Sequence, residues 1–364
     1  MSAPLLCIAG GGTGGHVIPA LALAGATRRR WTQLRVEFIG AERGLEAELL
    51  PARGEQVLLL PMHAVQGAGL AQRLRVLLWE LPLAVRRVRH HWRGARPSLV
   101  VGVGGYASIT GVVAAILSRV PVVLYEQNAV PGLVNRTLAR LSRKIMVGFA
   151  EAAEHLPAGR TVVTGNIVSA ALHGVRWQAH TPPRLLVTGG SQGAEFFNHL
   201  VPEACGILAA RGLSFTVTHA AGKAPGRIEA VSRRYAEAGV NAEVMGFCED
   251  MADFYASGNV MIARAGAMSV SEAAMCGMPA VFVPLPHAAD DHQRHNAEAL
   301  ADHGAALIAD QAATTAASLA DSLAPLLTEP ARLAAMSEAA RRQAPVDAET
   351  RQLDVLRPFL EIAA

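Results

Sequence analysis

Short runs of β-branched and other apolar residues alternate along the chain with longer segments whose apolar positions recur at helical spacing. That alternation predicts parallel sheets flanked by helices. Leu5–Ala9, Val36–Ile39, Leu99–Val103, Val122–Tyr125 and Ile145–Val147 read as strands of a first half. Thr161–Thr164, Leu185–Thr188, Phe215–His219, Ala242–Met245, Val260–Ala263 and Ala280–Val283 read as strands of a second. The polar, aromatic-dotted stretch His173–Pro183 ends in two prolines and reads as a linker, so the halves meet near residues 165–183. Both halves open with strand, glycine-rich turn and helix. The pattern therefore predicts two similar nucleotide-type α/β domains facing across a cleft, with ligands outside the carboxyl ends of the strands.

Leu99–Leu117 is a 19-residue stretch without charge, long enough for a short membrane span. Its four glycines and Tyr106 fit strand, glycine turn and helix better. Length agrees with two domains: 364 residues at about 150 per domain. Apolar residues make up 51% and charged ones 17%, which excludes a disordered chain. The net charge of +3 is too small for bulk nucleic-acid binding. Cys7, Cys205, Cys248 and Cys276 are scattered without a CxxC pair, so a disulfide frame or zinc site is not expected and a reducing cytosol fits. The first fifteen residues lack a basic n-region and read as no signal peptide.

Candidate chemistry lies at strand ends. Gly10-Gly11-Gly12-Thr13-Gly14-Gly15-His16 follows the first strand, Gly102–Ser108 repeats the arrangement, and Gly189–Ala194 repeats it again. Glycines let backbone N–H groups approach an anion, and the next helix presents its positive end. Three such loops point to phosphates or diphosphates; a ligand-free tight turn is the alternative for any one of them. The densest segment is Arg264–Glu272, where Ser269 and Ser271 offer hydroxyls at a helix start. Glu272 either accepts hydrogen bonds from a ribose diol or caps that helix. His287, Asp290, Asp291 and His292 crowd one turn but lack a ligand frame, and the chain has no DxD motif, so neither metal nor cofactor is expected. Gln293 and Asn296 are candidates to hydrogen-bond a sugar. Glu126-Gln127-Asn128 either caps the next segment or turns Asn128 toward the cleft.

In this order, GGGTGGH (10–16), GVGGYAS (102–108), EQN (126–128), GGSQGA (189–194), AMSVSE (267–272) and HAADDHQ…NA (287–297) resemble the peptidoglycan glucosaminyltransferase family, MurG, over Leu5 to about Arg351. The resemblance implies two Rossmann-like domains in the GT-B architecture. Residues 1–166 would form the acceptor and membrane-side domain, with a C-terminal helix at 347–364 packing back on it, and 167–346 the donor domain. It implies transfer of N-acetylglucosamine from UDP-N-acetylglucosamine to the lipid-linked muramyl-pentapeptide, lipid I, at the cytoplasmic face of the bacterial inner membrane. Cell-wall biogenesis, cell shape and division are the processes that this step serves.

Carried over by position, Thr13, Gly14, Gly15 and Asn128 would meet the donor sugar or the region bridging the domains. Ser191 and Gln192 would meet diphosphate and sugar, the Cys248 backbone uracil, Ala267, Met268, Ser269 and Val270 the diphosphate, Glu272 the ribose and Gln293 the sugar. Gly14, Gly15, His16, Gly104, Gly105 and Tyr106 would serve the acceptor. Where the family has Gly-Asn-Pro-Val-Arg, this chain has Gly165-Asn166-Ile167-Val168-Ser169. Ser169 offers one neutral hydroxyl for a forked cation, so Arg264 or Arg176 is expected to compensate.

The implied reaction is one inverting displacement through an oxocarbenium-like transition state. His16 is either its base or a residue binding the acceptor diphosphate. Another GT-B transferase, a nicotinamide oxidoreductase and a nucleotide-sugar sensor are the rival classes. Leu70, Leu74, Leu77, Leu78, Leu81, Val85, Val88 and Trp92 recur at helical spacing, with Pro82 expected to kink or split the helix. Between Leu70 and Pro97 seven Arg face one acid, Glu80, a bias suited to an anionic membrane surface.

Overall fold

Strands buried on both faces need side chains that are apolar at every position rather than at alternate ones, and the strand runs of this chain have that composition. In the computed structural model, which describes residues 3–63, 74–190, 193–286 and 289–361, they form two wholly parallel sheets. The chain divides into two compact units: Met1–Ile167 with Asp347–Ala364, and Val168–Val346.

The first unit holds strands β1 (Leu5–Ala9), β2 (Arg35–Ala41), β3 (Val57–Leu60), β4 (Leu99–Gly102), β5 (Val122–Glu126), β6 (Lys144–Val147) and β7 (Thr161–Val163), in the order β3-β2-β1-β4-β5-β6-β7. Its described helices are α1 (Gly14–Arg30), α2 (Glu46–Ala52), α3 (Leu81–His91), α4 (Tyr106–Leu117), α5 (Leu133–Leu138) and, at the chain's end, α13 (Ala348–Leu360). Alternation along β1 sorts the two cores. Leu6 and Ile8 pack with Val17, Ala20 and Leu23 of α1 and with Leu353, Leu356 and Leu360 of α13. Cys7 and Ala9 pack on the other face with Val85 and Val88 of α3 and Val112 and Ala115 of α4.

The second unit holds β8 (Arg184–Thr188), β9 (Thr216–Ala220), β10 (Ala242–Met245), β11 (Val260–Ala263), β12 (Ala280–Phe282) and β13 (Ala306–Ile308), in the order β10-β9-β8-β11-β12-β13. Its helices are α6 (Glu195–Ala210), α7 (Arg227–Glu237), α8 (Met251–Ala256), α9 (Ala267–Cys276), α10 (His292–Ala301), α11 (Ala316–Thr328) and α12 (Pro330–Arg342).

Several expectations need correction. The strand at Thr161–Thr164 belongs to the first unit, where it pairs with β6 as the sheet's edge. Strands β3 and β13 were not anticipated; four and three residues long, they sit at sheet edges and are too brief for a periodic signal. The His173–Pro183 stretch is no free linker. Trp177 donates its backbone N–H to the Cys276 carbonyl and its indole N–H to the Asn259 carbonyl, which ties the stretch to the second unit. Leu99–Leu117 is strand, turn and helix, and among the described residues no helix is long and apolar enough to cross a membrane.

The chain leaves the first unit immediately after a buried polar cluster. Asn166 accepts from the Tyr125 hydroxyl at 2.9 Å and donates to the Gln127 carbonyl at 3.0 Å, and Gln352 of α13 donates to the Gly165 carbonyl at 2.7 Å. Asn166→Ala would remove one acceptor of that hydroxyl and the donor that the Gln127 carbonyl accepts from. At roughly 0.5–1.5 kcal/mol per lost buried hydrogen bond, it should lower the thermal transition in differential scanning calorimetry by several degrees.

Candidate functional site

In each sheet the strand order reverses once, and loops leaving two neighbouring strands in opposite directions open a crevice at that point. In the first sheet the reversal lies between β1 and β4, where Ala9 pairs with Gly102. The loops that follow are Gly10–Thr13 and Val103–Gly105, packed backbone on backbone: the Gly11 N–H donates to the Gly104 carbonyl, and a Cβ on Gly105 would overlap the Gly11 carbonyl. In the second sheet the reversal lies between β8 and β11, where Ala263 pairs with Thr188. The loops there are 189–194 and Arg264–Gly266. Chain topology thus puts four of the six sequence motifs at two switch points.

On the first unit, Thr13 is the N-cap of α1, and its carbonyl accepts from the His16 and Val17 N–H groups. Gly14 and His16 are half-buried and Gly15 is exposed. The His16 Nδ1 lies 3.1 Å from the Gly11 carbonyl and 3.4 Å from the Thr13 hydroxyl. Gly104 is buried, and Gly105 and Tyr106 are half-buried at the start of α4. At the end of β5, Glu126 organises its own loop. One carboxylate oxygen accepts from the Asn128 N–H and side-chain amide; the other accepts from the Gly132 N–H and the Asn135 amide. Of the two readings of this segment, the capping one describes what Glu126 does.

On the second unit, α9 begins at Ala267 after Gly266, with no side-chain cap. Met268 and Ser269 are half-buried in its first turn, whereas Ala267 and Val270 are buried and present only backbone there. Ser271 lies in the second turn and is buried, so the expected first-turn hydroxyl is Ser269 alone. Glu272 is the sixth residue of the helix, beyond the reach of the free N–H groups. The capping alternative is therefore wrong. Its carboxylate accepts from the Tyr255 hydroxyl at 3.1 Å, and burial pushes its pKa up to about 7 despite that bond.

Three further expectations change. Asn296 is fully buried, and its amide donates to the Ala265 carbonyl. It braces the β11 loop instead of facing a ligand. Arg264 donates to the Val283 and Pro284 carbonyls and stacks over the Phe197 ring at 4.8 Å, while Arg176 donates to the His173 and Val175 carbonyls. Both guanidiniums bond backbone carbonyls through Nη1, and Ser169 is exposed. Gln293 is half-buried and accepts from the Leu285 N–H at 2.9 Å, and Cys248, half-buried after β10, donates its thiol to the Asp250 carbonyl. Ser191, Gln192 and His287 lie outside the described residues. Among the described residues, no group of three His, Cys, Asp or Glu could hold a metal ion.

The apolar stripe divides. Val76, Val85, Val88 and Trp92 enter the core, whereas Leu74, Leu77, Leu78, Trp79 (69% exposed) and Leu83 stand out from it, with Arg75, Arg86, Arg87 and Arg89 exposed beside them. Val76–Glu80 is a π-helical turn that runs into α3, with Pro82 in the first turn of α3. The proline thus stands where the π turn gives way to α3, a division of the helix at the position expected. Glu80 clamps the turn by accepting from the His63 N–H at 3.1 Å. Leu70 and Arg73 lie outside the described residues.

The first unit also contains a residue that the motifs did not single out. Glu46 is fully buried and accepts from the Gly12 N–H at 2.6 Å. Its only signal in the sequence is helical phase, since it shares a buried face with Leu50 four residues on.

The raised carboxyl of Glu272 gives a pH signature with a definite sign. Between the ordinary carboxylate range and about pH 7 the native state keeps a proton that the unfolded chain has released, so stability falls as pH rises through that window. Glu272→Gln removes the titration and can still accept from Tyr255. Chemical denaturation should show the variant gaining on the parent from about pH 4.5 upward, levelling off above about pH 7.5 at no more than ~3 kcal/mol. A constant difference across that range would contradict the shift.

Comparison with known proteins agrees with this architecture. Residues 6–147 match the glycosyltransferase family 28 N-terminal domain and residues 184–352 its C-terminal domain. The chain is 43% identical to the UDP-N-acetylglucosamine–N-acetylmuramyl-(pentapeptide) pyrophosphoryl-undecaprenol N-acetylglucosamine transferase of Aeromonas hydrophila, over 97% of this chain and 96% of that protein. It is also 43% identical to the protein of that name from Stutzerimonas stutzeri, over 100% and 99%. The crystal structure of Acinetobacter baumannii MurG superposes with a TM-score of 0.81 at 32% identity, covering 98% of this chain and 99% of that one. A calicheamicin glycosyltransferase, CalG4, shares the fold at a TM-score of 0.68 and 19% identity, covering 100% of both chains. The fold is the two-domain GT-B glycosyltransferase architecture, and the chain belongs to glycosyltransferase family 28 and, within it, to the MurG family.

Proposed function

We propose that the chain transfers N-acetylglucosamine from UDP-N-acetylglucosamine to the 4-hydroxyl of undecaprenyl-pyrophosphoryl-N-acetylmuramyl-pentapeptide, with inversion, in peptidoglycan synthesis. The observation that carries this reading is full-length 43% identity to transferases of that name, with the matching motifs at the switch points of both sheets. In the second unit, the start of α9 and the 189–194 loop, with Ser191 and Gln192, would bind the diphosphate. Glu272 would hold the ribose, the Cys248 backbone the uracil and Gln293 the sugar. In the first unit, Gly14, Gly15, Gly104, Gly105 and Tyr106 would receive the acceptor, and Thr13 and Asn128 the donor sugar.

His16 is the proposed base. It takes the proton of the acceptor hydroxyl as that oxygen bonds to the anomeric carbon, and the bond from that carbon to the diphosphate breaks with its electron pair leaving on UDP. Neutralising the departing charge falls to backbone N–H groups and the α9 dipole. UDP release measured with and without a lipid I analogue tests the reading. Acceptor-dependent release supports it, and release without acceptor, or none with it, overturns it. Glu272→Ala should raise the Michaelis constant for UDP-N-acetylglucosamine about ten- to hundredfold, in line with ~1.5–3 kcal/mol for a hydrogen bond to a charged group. An unchanged constant would place the ribose elsewhere.

The exposed Leu77, Leu78, Trp79 and Leu83 beside Arg75, Arg86, Arg87 and Arg89 support peripheral docking on an anionic bilayer, at the cytoplasmic face of the inner membrane where the lipid-linked acceptor would be met. Each basic residue near such a surface contributes ~1 kcal/mol. Reversing Arg86, Arg87 and Arg89 to Glu should therefore abolish co-sedimentation with phosphatidylglycerol vesicles while leaving turnover of a short-chain, water-soluble acceptor intact. Unaltered sedimentation would rule this surface out.

A further inference from the structure

Glu46 is a fully buried carboxylate that the donor and acceptor motifs leave unexplained. Among the described residues it has no cationic partner; its charge is met by backbone alone. One oxygen accepts from the Gly12 N–H at 2.6 Å and the other from the Ala41 N–H at 2.8 Å. Gly11, Gly40 and Gly44 surround the carboxyl group, and a methyl group on any of them would overlap it. A buried carboxylate held by N–H donors makes charge-assisted hydrogen bonds, the stronger kind, and resists any movement that would orphan it. Gly11 and Gly12 sit at φ +158° and +95°, a backbone course that few other residues would follow and that needs an external hold.

What that loop holds is His16. The Gly11 carbonyl lies 3.1 Å from Nδ1. A carbonyl can only accept, so Nδ1 carries the proton and the neutral ring has its lone pair on Nε2. The Nε2 edge lies over Gly104, where a Cβ would be 2.8 Å away. The connection runs from the Glu46 carboxylate through the Gly12 N–H and Gly11 carbonyl to the protonation pattern of the imidazole. We propose that Glu46 is a positioning residue for the transfer reaction, fixing the glycine loop so that His16 keeps Nδ1–H and presents Nε2 as the proton acceptor. The proposal rests on the reading of His16 as base.

Glu46→Gln keeps the shape but puts an NH2 group against an N–H donor. With a soluble lipid I analogue, kcat should fall at least tenfold while the affinity for UDP, whose proposed contacts all lie in the second unit, holds. The double variant with His16→Ala should be no slower than His16→Ala alone, because the two act through one group. Multiplying losses in the double variant, or a loss confined to donor binding, would overturn the proposal. Full activity of His16→Ala would overturn the base assignment itself, and acceptor-independent UDP release by the parent protein would overturn the function. Should Glu46→Gln not fold, the ring 15N shifts of His16 in the unaltered protein decide. The Nδ1–H tautomer is expected at high pH, and the Nε2–H tautomer would refute the proposal.

Discussion

A parallel sheet cannot turn back on itself through tight hairpins, so every strand must be followed by a crossover, and nearly all crossovers share one hand. The sheet can grow in both directions only by reversing its order once. This chain makes that reversal twice, at β1/β4 and at β8/β11. The consequences are concentrated there: the helices α1, α4 and α9 each begin within a few residues of these strand ends. Other features of the two candidate regions are responses to that geometry.

The commonest response is a buried acid. Glu46 and Glu126 each gather backbone N–H groups, for Glu46 one from its own loop and one from the loop after β1, and for Glu126 two from its own loop with two side-chain amides. Hydrogen bonds to an ionised acceptor are worth about twice those between neutral groups, so a carboxylate stiffens a glycine-rich loop that has no side chains of its own to pack. Glu272 differs. It receives one hydroxyl donor and no N–H, and its pKa rises to about 7. A carboxyl group held that way in the protein alone has more hydrogen-bonding capacity left than Glu126, whose two oxygens already accept four bonds. Identical residue types at a strand end and in two helices thus divide into two scaffolding groups and one with fewer bonds within the protein.

Sequence patterning made the long central strands legible because an apolar run buried on both faces has no competing explanation. It failed where elements are short or their side chains engage the backbone. Strands β3 and β13 carry too few residues for a period, and Thr161–Val163 joined the first sheet through pairing with β6, a long-range fact that local composition cannot contain. The glycine loops were legible as turns after strands, but the N–H of Gly12, counted among phosphate donors, is held by Glu46 from 34 residues away. Arg264 and Asn296 looked like ligand groups because charge and amide attract that reading. Both are fixed to carbonyls of neighbouring loops.

The same division explains the one motif that departs from its family. Gly165-Asn166-Ile167-Val168-Ser169 spans the boundary between the two units, which falls between Ile167 and Val168. Its first part answers to the first unit's core. Asn166 has no exposure and is bonded to Tyr125 and Gln127, and Gly165 sits at φ +80° with its carbonyl taken by Gln352. A change there would orphan several buried groups at once. The last position answers to none of this: Ser169 is exposed, at the start of a single 3-10 turn, and its side chain caps nothing. A residue there is constrained only by what it meets from solution. Gly165 and Asn166, which buried hydrogen bonds hold, are kept; Ile167 replaces proline with another apolar residue inside the core, and only at the exposed Ser169 is a charged side chain replaced by a neutral one.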